Sequence, residues 1–558
     1  MYHRFIYVSL FCWLGWMNMG AQTLRNPFDF PALLSGNFGE LRSNHFHSGI
    51  DFKTQGEEGK AIHAVQDGYI SRIFVSPWGY GNALYLVHPD HTMTVYGHLQ
   101  RFNDSIAYYV KEQQYEQEQF RVDLALTPEQ FPVKQGDIIG YSGNSGSSGG
   151  PHLHFEVRDT TDEPMDPLPF FETLIKDSRP PTAQAVMIYP VEGQGSVNNS
   201  SQRLRLQAVN AQGRQTVKGK IEAWGKIAFG INVDDFMDQT TNVYGVKELT
   251  MSVDGVEMFN SYLDRFSFDE TRYLNTFVDY ETWCGMRSFF TKTFVSPGNR
   301  LRFITSKNRG LVTINEKRPY RIDFRLADAF GNTGELSLEV IGKEQIILPP
   351  DTAGATLFYW NVENRFGAKG IRLSVPKGSL YENLYFRHKT MEDTTLFSAI
   401  HQLHDKPVAL HKPANLSLFL AQDTLPEKRQ YGIISINRKK YTWIGGTYRD
   451  GWMDAEIREL GNYAVAQDTI PPKIMPVDSV HWMTDQKIAF RLTDDLSGIS
   501  AYRGEIDGNY ALFEMDGKKS LIWYIFDNKR LMRGEHTLIL VVTDHCGNRS
   551  EYKTKFRQ

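Results

Sequence analysis

The chain has 558 residues, of which 41% are hydrophobic and 23% charged, with a formal net charge of -4. This length excludes a single ordinary core, the balance excludes a largely disordered chain, and the lack of any Lys/Arg run of useful length leaves a nucleic-acid partner without an electrostatic footprint. Aromatic residues at 13% favour many short strands over helical bundles.

The first residues point to export. His3 and Arg4 precede an apolar run over residues 5–17, and Gly20 and Ala21 supply small residues before Gln22. This is the layout of a signal peptide over residues 1–21, cut after Ala21. The mature protein is expected in the periplasm or outside the cell, unattached to the membrane. The run is short for a membrane span, and Cys12 within it has no lipid-attachment signature around it. After cleavage only Cys284 and Cys546 remain. Far apart in the chain, they read as buried small hydrophobes rather than a disulfide framework or a metal site.

Residues 45–160 read almost entirely as β-structure. Strand-like segments cover 61–65, 69–75, 83–88 and 93–98, separated by Gly, Pro and Asp. The exception is 104–120, a polar stretch rich in Glu and Gln that predicts an exposed helix. Two motifs here carry chemistry. In Gly149-Gly150-Pro151-His152-Leu153-His154-Phe155-Glu156, apolar residues alternate with His152, His154 and Glu156. A strand then buries one set and turns both imidazoles to the other face. In His47-Ser48-Gly49-Ile50-Asp51, residues four apart on a straight strand would lie roughly 13 Å from each other. His47 and Asp51 therefore reach one metal only if the backbone bends, and Gly49 permits the bend. Two imidazoles and a carboxylate leave a fourth tetrahedral position open, as in catalytic rather than structural zinc sites. His45, His63, His88 and His91 are read as ordinary polar residues. The glycine-rich segment 143–150 lacks the Lys-Ser/Thr ending of a phosphate cradle.

Three Pro-containing junctions, Arg179-Pro180-Pro181, Pro349-Pro350 and Ile470-Pro471-Pro472, divide the rest of the chain. Asp177 and Asp468 each stand three residues before a Pro-Pro pair. Lys226-Ile227-Ala228-Phe229 leads to Asp234-Asp235 as Lys487-Ile488-Ala489-Phe490 leads to Asp494-Asp495, and both segments end on an Asp-x-x-Gly-Asn turn, at Asp328 and Asp544. Such repetition predicts a duplicated module with a long insertion after Asp254 in its first copy. The domains expected are 22–178, 179–348, 349–467 and 468–558. The second and fourth resemble bacterial immunoglobulin-like β-sandwiches, and the third is a β-rich unit of unassigned type. The fold class is mostly β.

The motif His47-x-Gly49-x-Asp51, the segment Tyr96-Gly97-His98-Leu99 and the sequence from Gly149 to Glu156 together resemble the three motifs of the lysostaphin/LytM-like zinc peptidases. Gly68, Gly79-Tyr80-Gly81 and 133–140 fit as connecting sequence. The resemblance covers about a quarter of the chain, from His45 to Val157. It implies one Zn2+ per chain on His47, Asp51 and His154, with His98 and His152 as catalytic histidines. His152 is assigned as general base and His98 as stabiliser of the tetrahedral intermediate, two roles the sequence leaves interchangeable. The implied activity is hydrolysis of stem or cross-link peptides in bacterial peptidoglycan. A non-catalytic or autoinhibited regulator of other wall hydrolases is the alternative, and an adhesin with an enzymatic head a third reading. All five expected residues are present, against the regulator. Residues 101–131 are longer than the matching connection in most relatives, and their position beside His98 predicts a mobile flap over the groove.

Overall fold

The computed structural model describes residues 24–211, 213–438 and 440–558, so the expected signal peptide and Cys12 lie outside the described residues. The chain forms four successive β-rich units.

The first unit is built on an antiparallel sheet whose centre is the strand His152–Arg158. Its neighbours are Ile50–Lys53 on one side and Met93–Leu99 on the other. Asn82–Val87, Gly68–Val75 and Val122–Ala125 continue the sheet outward. Leu153, Phe155 and Val157 are buried in the core with Phe52, Tyr96 and Phe171. The opposite faces of the first two of these strands carry His152, His154 and Asp51, as period-two alternation requires. His98, two residues after the core Tyr96, departs from the alternation through a left-handed backbone.

The stretch expected to be a mobile flap is instead tied into this unit. Arg101–Phe102 pairs with Ile138–Tyr141, and Val122–Ala125 extends the main sheet. Between them the helix Asp104–Glu116, N-capped by Asn103, buries Ile106 and Val110 in the core. Those two residues share one helix face at i and i+4, a stripe that the polar composition concealed.

The duplicated modules differ in architecture. In the last unit two four-stranded sheets enclose Ile488, Phe490, Leu492, Leu538 and Leu540, a β-sandwich. The second unit is one continuous eleven-stranded sheet. Its strands Thr182–Val197 and Glu222–Asp234 are long, their pairing is irregular between Pro190 and Gly195, and Glu222 pairs with Ile341 to close the sheet on itself. The insertion after Asp254 supplies the strand Val256–Tyr262 and the short helix Tyr280–Met286. Cys284 on that helix is only partly buried, unlike Cys546, and both thiols are free. The third unit holds two five-stranded sheets.

Two seams bind the first unit to others. Phe46 lies fully buried among Phe266, Phe277 and Phe303 of the second unit. Met237 and Tyr244 in turn enter the first unit's core. On the far side the last unit rests on the helix Asp104–Glu116. Lys111 pairs with Asp527 at 2.8 Å, Arg530 with Glu112 at 2.7 Å, and Arg503 with Glu118 at 2.8 Å. Gly517 packs against the ring of Trp78, and Lys518 Nζ donates to the carbonyl oxygens of Asn144 and Ser148.

Candidate active site

Three adjacent strands place the side chains. His154 stands directly across from Asp51 on one neighbour and Gly97 on the other. His98 follows Gly97, and His152 opens the central strand. His47 arrives from outside the sheet, where the backbone passes so close to the next strand that a Cβ on Gly49 would lie 2.2 Å from the Phe155 carbonyl oxygen. Glycine is required there for that approach, which brings His47 beside Asp51.

The donor atoms converge. His47 Nε2 lies 3.0 Å from His154 Nδ1 and 3.1 Å from Asp51 Oδ1, and His154 Nδ1 lies 3.0 Å from Asp51 Oδ1. A tetrahedral metal with bonds of about 2 Å sets its donors about 3.3 Å apart, so this triangle is one face of such a site. The hydrogen bonds on the far side of each ring fix the tautomer that leaves the inner nitrogen free. His47 Nδ1–H donates to the Asn37 carbonyl at 2.7 Å, and His154 Nε2–H donates to Glu156 Oε1 at 2.8 Å. The second Asp51 oxygen accepts from Arg42 at 2.9 Å.

Glu156 is wholly buried and collects Tyr80 at 2.6 Å, Ser48 at 2.5 Å and Arg158 at 2.6 Å besides His154. Burial alone would raise its carboxyl, but Arg158 and these hydrogen bonds hold it well below the usual range. Burial likewise opposes the charge on His154, yet its hydrogen bonds to Asp51 and Glu156 raise it to about 9. A buried pair of carboxylates this strong attracts positive charge, whether a proton or a metal ion.

His152 and His98 face each other with ring centroids 4.8 Å apart. His152 Nδ1–H donates to the Gly150 carbonyl at 2.8 Å, and His98 Nδ1–H to the Ser145 carbonyl at 2.9 Å. Each therefore turns an unprotonated Nε2 inward, that of His152 lying 3.5 Å from Asp51 Oδ1. Burial and the neighbouring His154 push His98 down to about 3, and burial lowers His152. His98 holds a left-handed backbone, φ 60°, uncommon for a residue with a Cβ. The loops on either side lock together: Ser147 N donates to the Gly79 carbonyl at 2.8 Å, and Gly79 N to Ser147 Oγ at 3.0 Å. Gly146, at φ 67°, lies so close to Gly81 that a Cβ would meet its nitrogen at 2.3 Å.

All five residues singled out from the sequence, His47, Asp51, His98, His152 and His154, thus meet in one cleft. His45 is exposed on a short hairpin and stays outside the donor triangle. His63 and His88 are buried and satisfied, the first by Gly136 and Asp29, the second by Asp67 and Thr94. Sequence reasoning missed the supporting shell. Glu156 had a signal, because it shares the polar face of its strand with both histidines. Tyr80 had a weak one between its glycines. Asn37, Arg42 and Ser48 had none.

Residues 45–119 and 121–167 match the family model described as Peptidase family M23, and residues 355–468 match the Zu5-like domain. Among curated proteins the chain is similar to the DD-carboxypeptidase/endopeptidase Mpg of Neisseria meningitidis serogroup B, 30% identical over 128 residues, 23% of each chain. It is also similar to the peptidoglycan DD-endopeptidase ShyC of Vibrio cholerae, 32% identical over 139 residues, 24% of this chain and 26% of that one. The chain spans about a quarter of the length of these relatives. A solved structure of the catalytic domain of the antimicrobial peptidase lysostaphin from Staphylococcus simulans is 26% identical, covering 25% of this chain and 92% of that chain with a TM-score of 0.19.

Proposed function

We propose that this chain, a lysostaphin/LytM-like peptidase of the M23 type in its first unit, is an exported zinc endopeptidase that hydrolyses peptide bonds of bacterial cell-wall peptidoglycan. The observation that carries the reading is the triangle of His47, Asp51 and His154 donors, 3.0–3.1 Å on each side, with two further imidazole nitrogens facing it. The names of the similar proteins, a DD-carboxypeptidase/endopeptidase and a peptidoglycan DD-endopeptidase, support the substrate class. We take 22–178 as the catalytic unit and the three later units as its supports.

His47, Asp51 and His154 would hold a zinc ion, which would supply an acidified water and polarise the scissile carbonyl. His152 takes the water proton on Nε2 and passes it to the leaving amine. Its bond to Gly150 keeps the ring in the tautomer that can accept. His98, across the cleft, faces the tetrahedral carbon. It steadies the oxyanion by taking a second proton on Nε2, which burial opposes in the free cleft and the negative charge of the oxyanion favours. The locked loops hold both rings while a peptide lies between them. No helix among the described residues is long and apolar enough to cross a membrane, and export rests on the N-terminal signal.

Metal analysis of the purified chain, followed by mass spectrometry of fragments from defined cross-linked muropeptides, tests the reading. One zinc per chain with new peptide termini is expected. Bound zinc without any cleavage would favour a regulator of other wall hydrolases, and a chain that binds no zinc would end the proposal.

A further inference from the structure

Both copies of the repeated module carry a cluster that the active site does not use. One carboxylate oxygen from each of Asp177, Asp235 and Asp328 lies within 4.8 Å of the others, and Asp468, Asp494 and Asp544 form the same arrangement. The positions correspond. Asp177 and Asp468 precede the Pro-Pro junctions, and Asp328 and Asp544 open the Asp-x-x-Gly-Asn turns. Asn332 Nδ2 bridges the Asp177 carbonyl and Asp328 Oδ2, and Asn548 Nδ2 bridges the Asp468 carbonyl and Asp544 Oδ2. Strand register corrects the match drawn from sequence. Thr182 and Lys473, each just after its Pro-Pro pair, lie across from Asp234 and Thr493, so the equivalent aspartates are Asp235 and Asp494.

The first cluster is missing a partner. Asp235 is 2% exposed and its Oδ1 has no hydrogen-bond partner; Asp177 Oδ2 is buried and unpartnered too. Among the described residues no basic side chain forms an ion pair with any of the six, whereas the adjacent Asp495 is taken by Lys473. Buried carboxylates are normally paired, hydrogen-bonded or metal-bound. Burial, with Asp328 and Asp177 alongside, pushes Asp235 up to about 8, which measures how poorly the corner tolerates its own charge.

We infer that Asp177, Asp235 and Asp328 bind a hard divalent cation, calcium by the all-oxygen donor set, and that Asp468, Asp494 and Asp544 form the counterpart site. Irregular carboxylate cages suit calcium, whereas magnesium demands near-ideal octahedral geometry. The ion ties the linker at Asp177 to the body of the second unit. The Asp235 carbonyl accepts from Tyr244 N at 2.9 Å, one residue before Gly245, whose backbone holds Asn37 behind His47. The cation thereby steadies the seam behind the proposed zinc site without touching it.

The test uses the zinc-loaded full chain titrated with calcium alone, with bound calcium read by equilibrium dialysis, stability by thermal unfolding, and zinc by elemental analysis. Calcium should raise the unfolding temperature without displacing zinc. Asp235→Asn should remove one calcium from the stoichiometry and shrink the thermal shift. Asp177→Asn, which keeps the oxygen accepting from Arg179 N and Asp238 N, should do the same and stands in if the first variant fails to fold. Calcium binding equal in wild type and a folded variant, or no calcium binding at all, overturns the inference. Either result leaves the peptidase reading standing, since the zinc content is read separately.

Discussion

Asn37 and Gly245 exchange two hydrogen bonds across the seam between the first and second units, Asn37 Nδ2 to the Gly245 carbonyl at 2.7 Å and Gly245 N to Asn37 Oδ1 at 2.9 Å. The carbonyl of the same Asn37 accepts the His47 ring. A residue of the second unit therefore positions a candidate metal ligand of the first. Asn37→Ala should lower zinc affinity about tenfold, the lower end of what losing an outer partner of a metal-bound histidine costs, in a chain that still folds. Competition with a chromogenic chelator measures it, and an unchanged affinity would show the seam to be mere packing.

Ligands and proton carriers should separate cleanly. His154→Ala and Asp51→Ala should lose both zinc and activity, because a three-ligand site cannot spare one. His152→Ala should keep its zinc and lose roughly two to four orders of magnitude in turnover. The assignment is reversed if His152→Ala empties the site while His154→Ala leaves it filled.

Glu156→Gln keeps the shape but removes the buried counter-charge of Arg158, leaving it only the exposed Asp162. Breaking a buried pair on one side costs about 3 kcal/mol, measurable by denaturant unfolding. The folded carboxyl sits well below its ordinary 4.5. Its contribution to stability is thus fully present above about pH 4.5 and fades as the pH falls toward the folded value. The gap between wild type and variant should hold from neutral pH down to about 4.5 and narrow below it. A gap that widens instead would place the stabilising charge elsewhere.

Much of this was legible beforehand because the strongest signals are local. Alternation along 152–157 and the glycine at 49 located His152, His154, His47 and Asp51, the family resemblance alone located His98, and turn residues located the strands. What stayed hidden was set by packing between units. Nothing in the sequence marks Asn37 as the partner of Gly245, and the helix stripe of Ile106 and Val110 is too narrow to stand out in a polar stretch. The closed sheet of the second unit depends on strand lengths and an irregular pairing that the repeat pattern does not carry.

Lys518 holds the carbonyls of Asn144 and Ser148 on the loop that carries the Gly150 acceptor of His152. Lys518→Ala should leave zinc content unchanged and speed amide hydrogen exchange over 144–150, since a loop freed of an outside clamp opens more often. Exchange rates equal to wild type would mean that the loop is held by its contacts within the first unit, to Gly79, Asn82 and Leu99.

These long-range supports also order events in time. Asn37 and Gly245 are 208 residues apart, and Lys518 and Asn144 are separated by 374. A chain synthesised from its N-terminus at about 5–20 residues per second exposes all five cleft residues long before either support exists. For about ten to forty seconds after Asn37 emerges its partner has not been made, and the loop clamp arrives only with the last module. The cleft reaches its full rigidity only after Lys518 has emerged, 374 residues behind the loop it clamps.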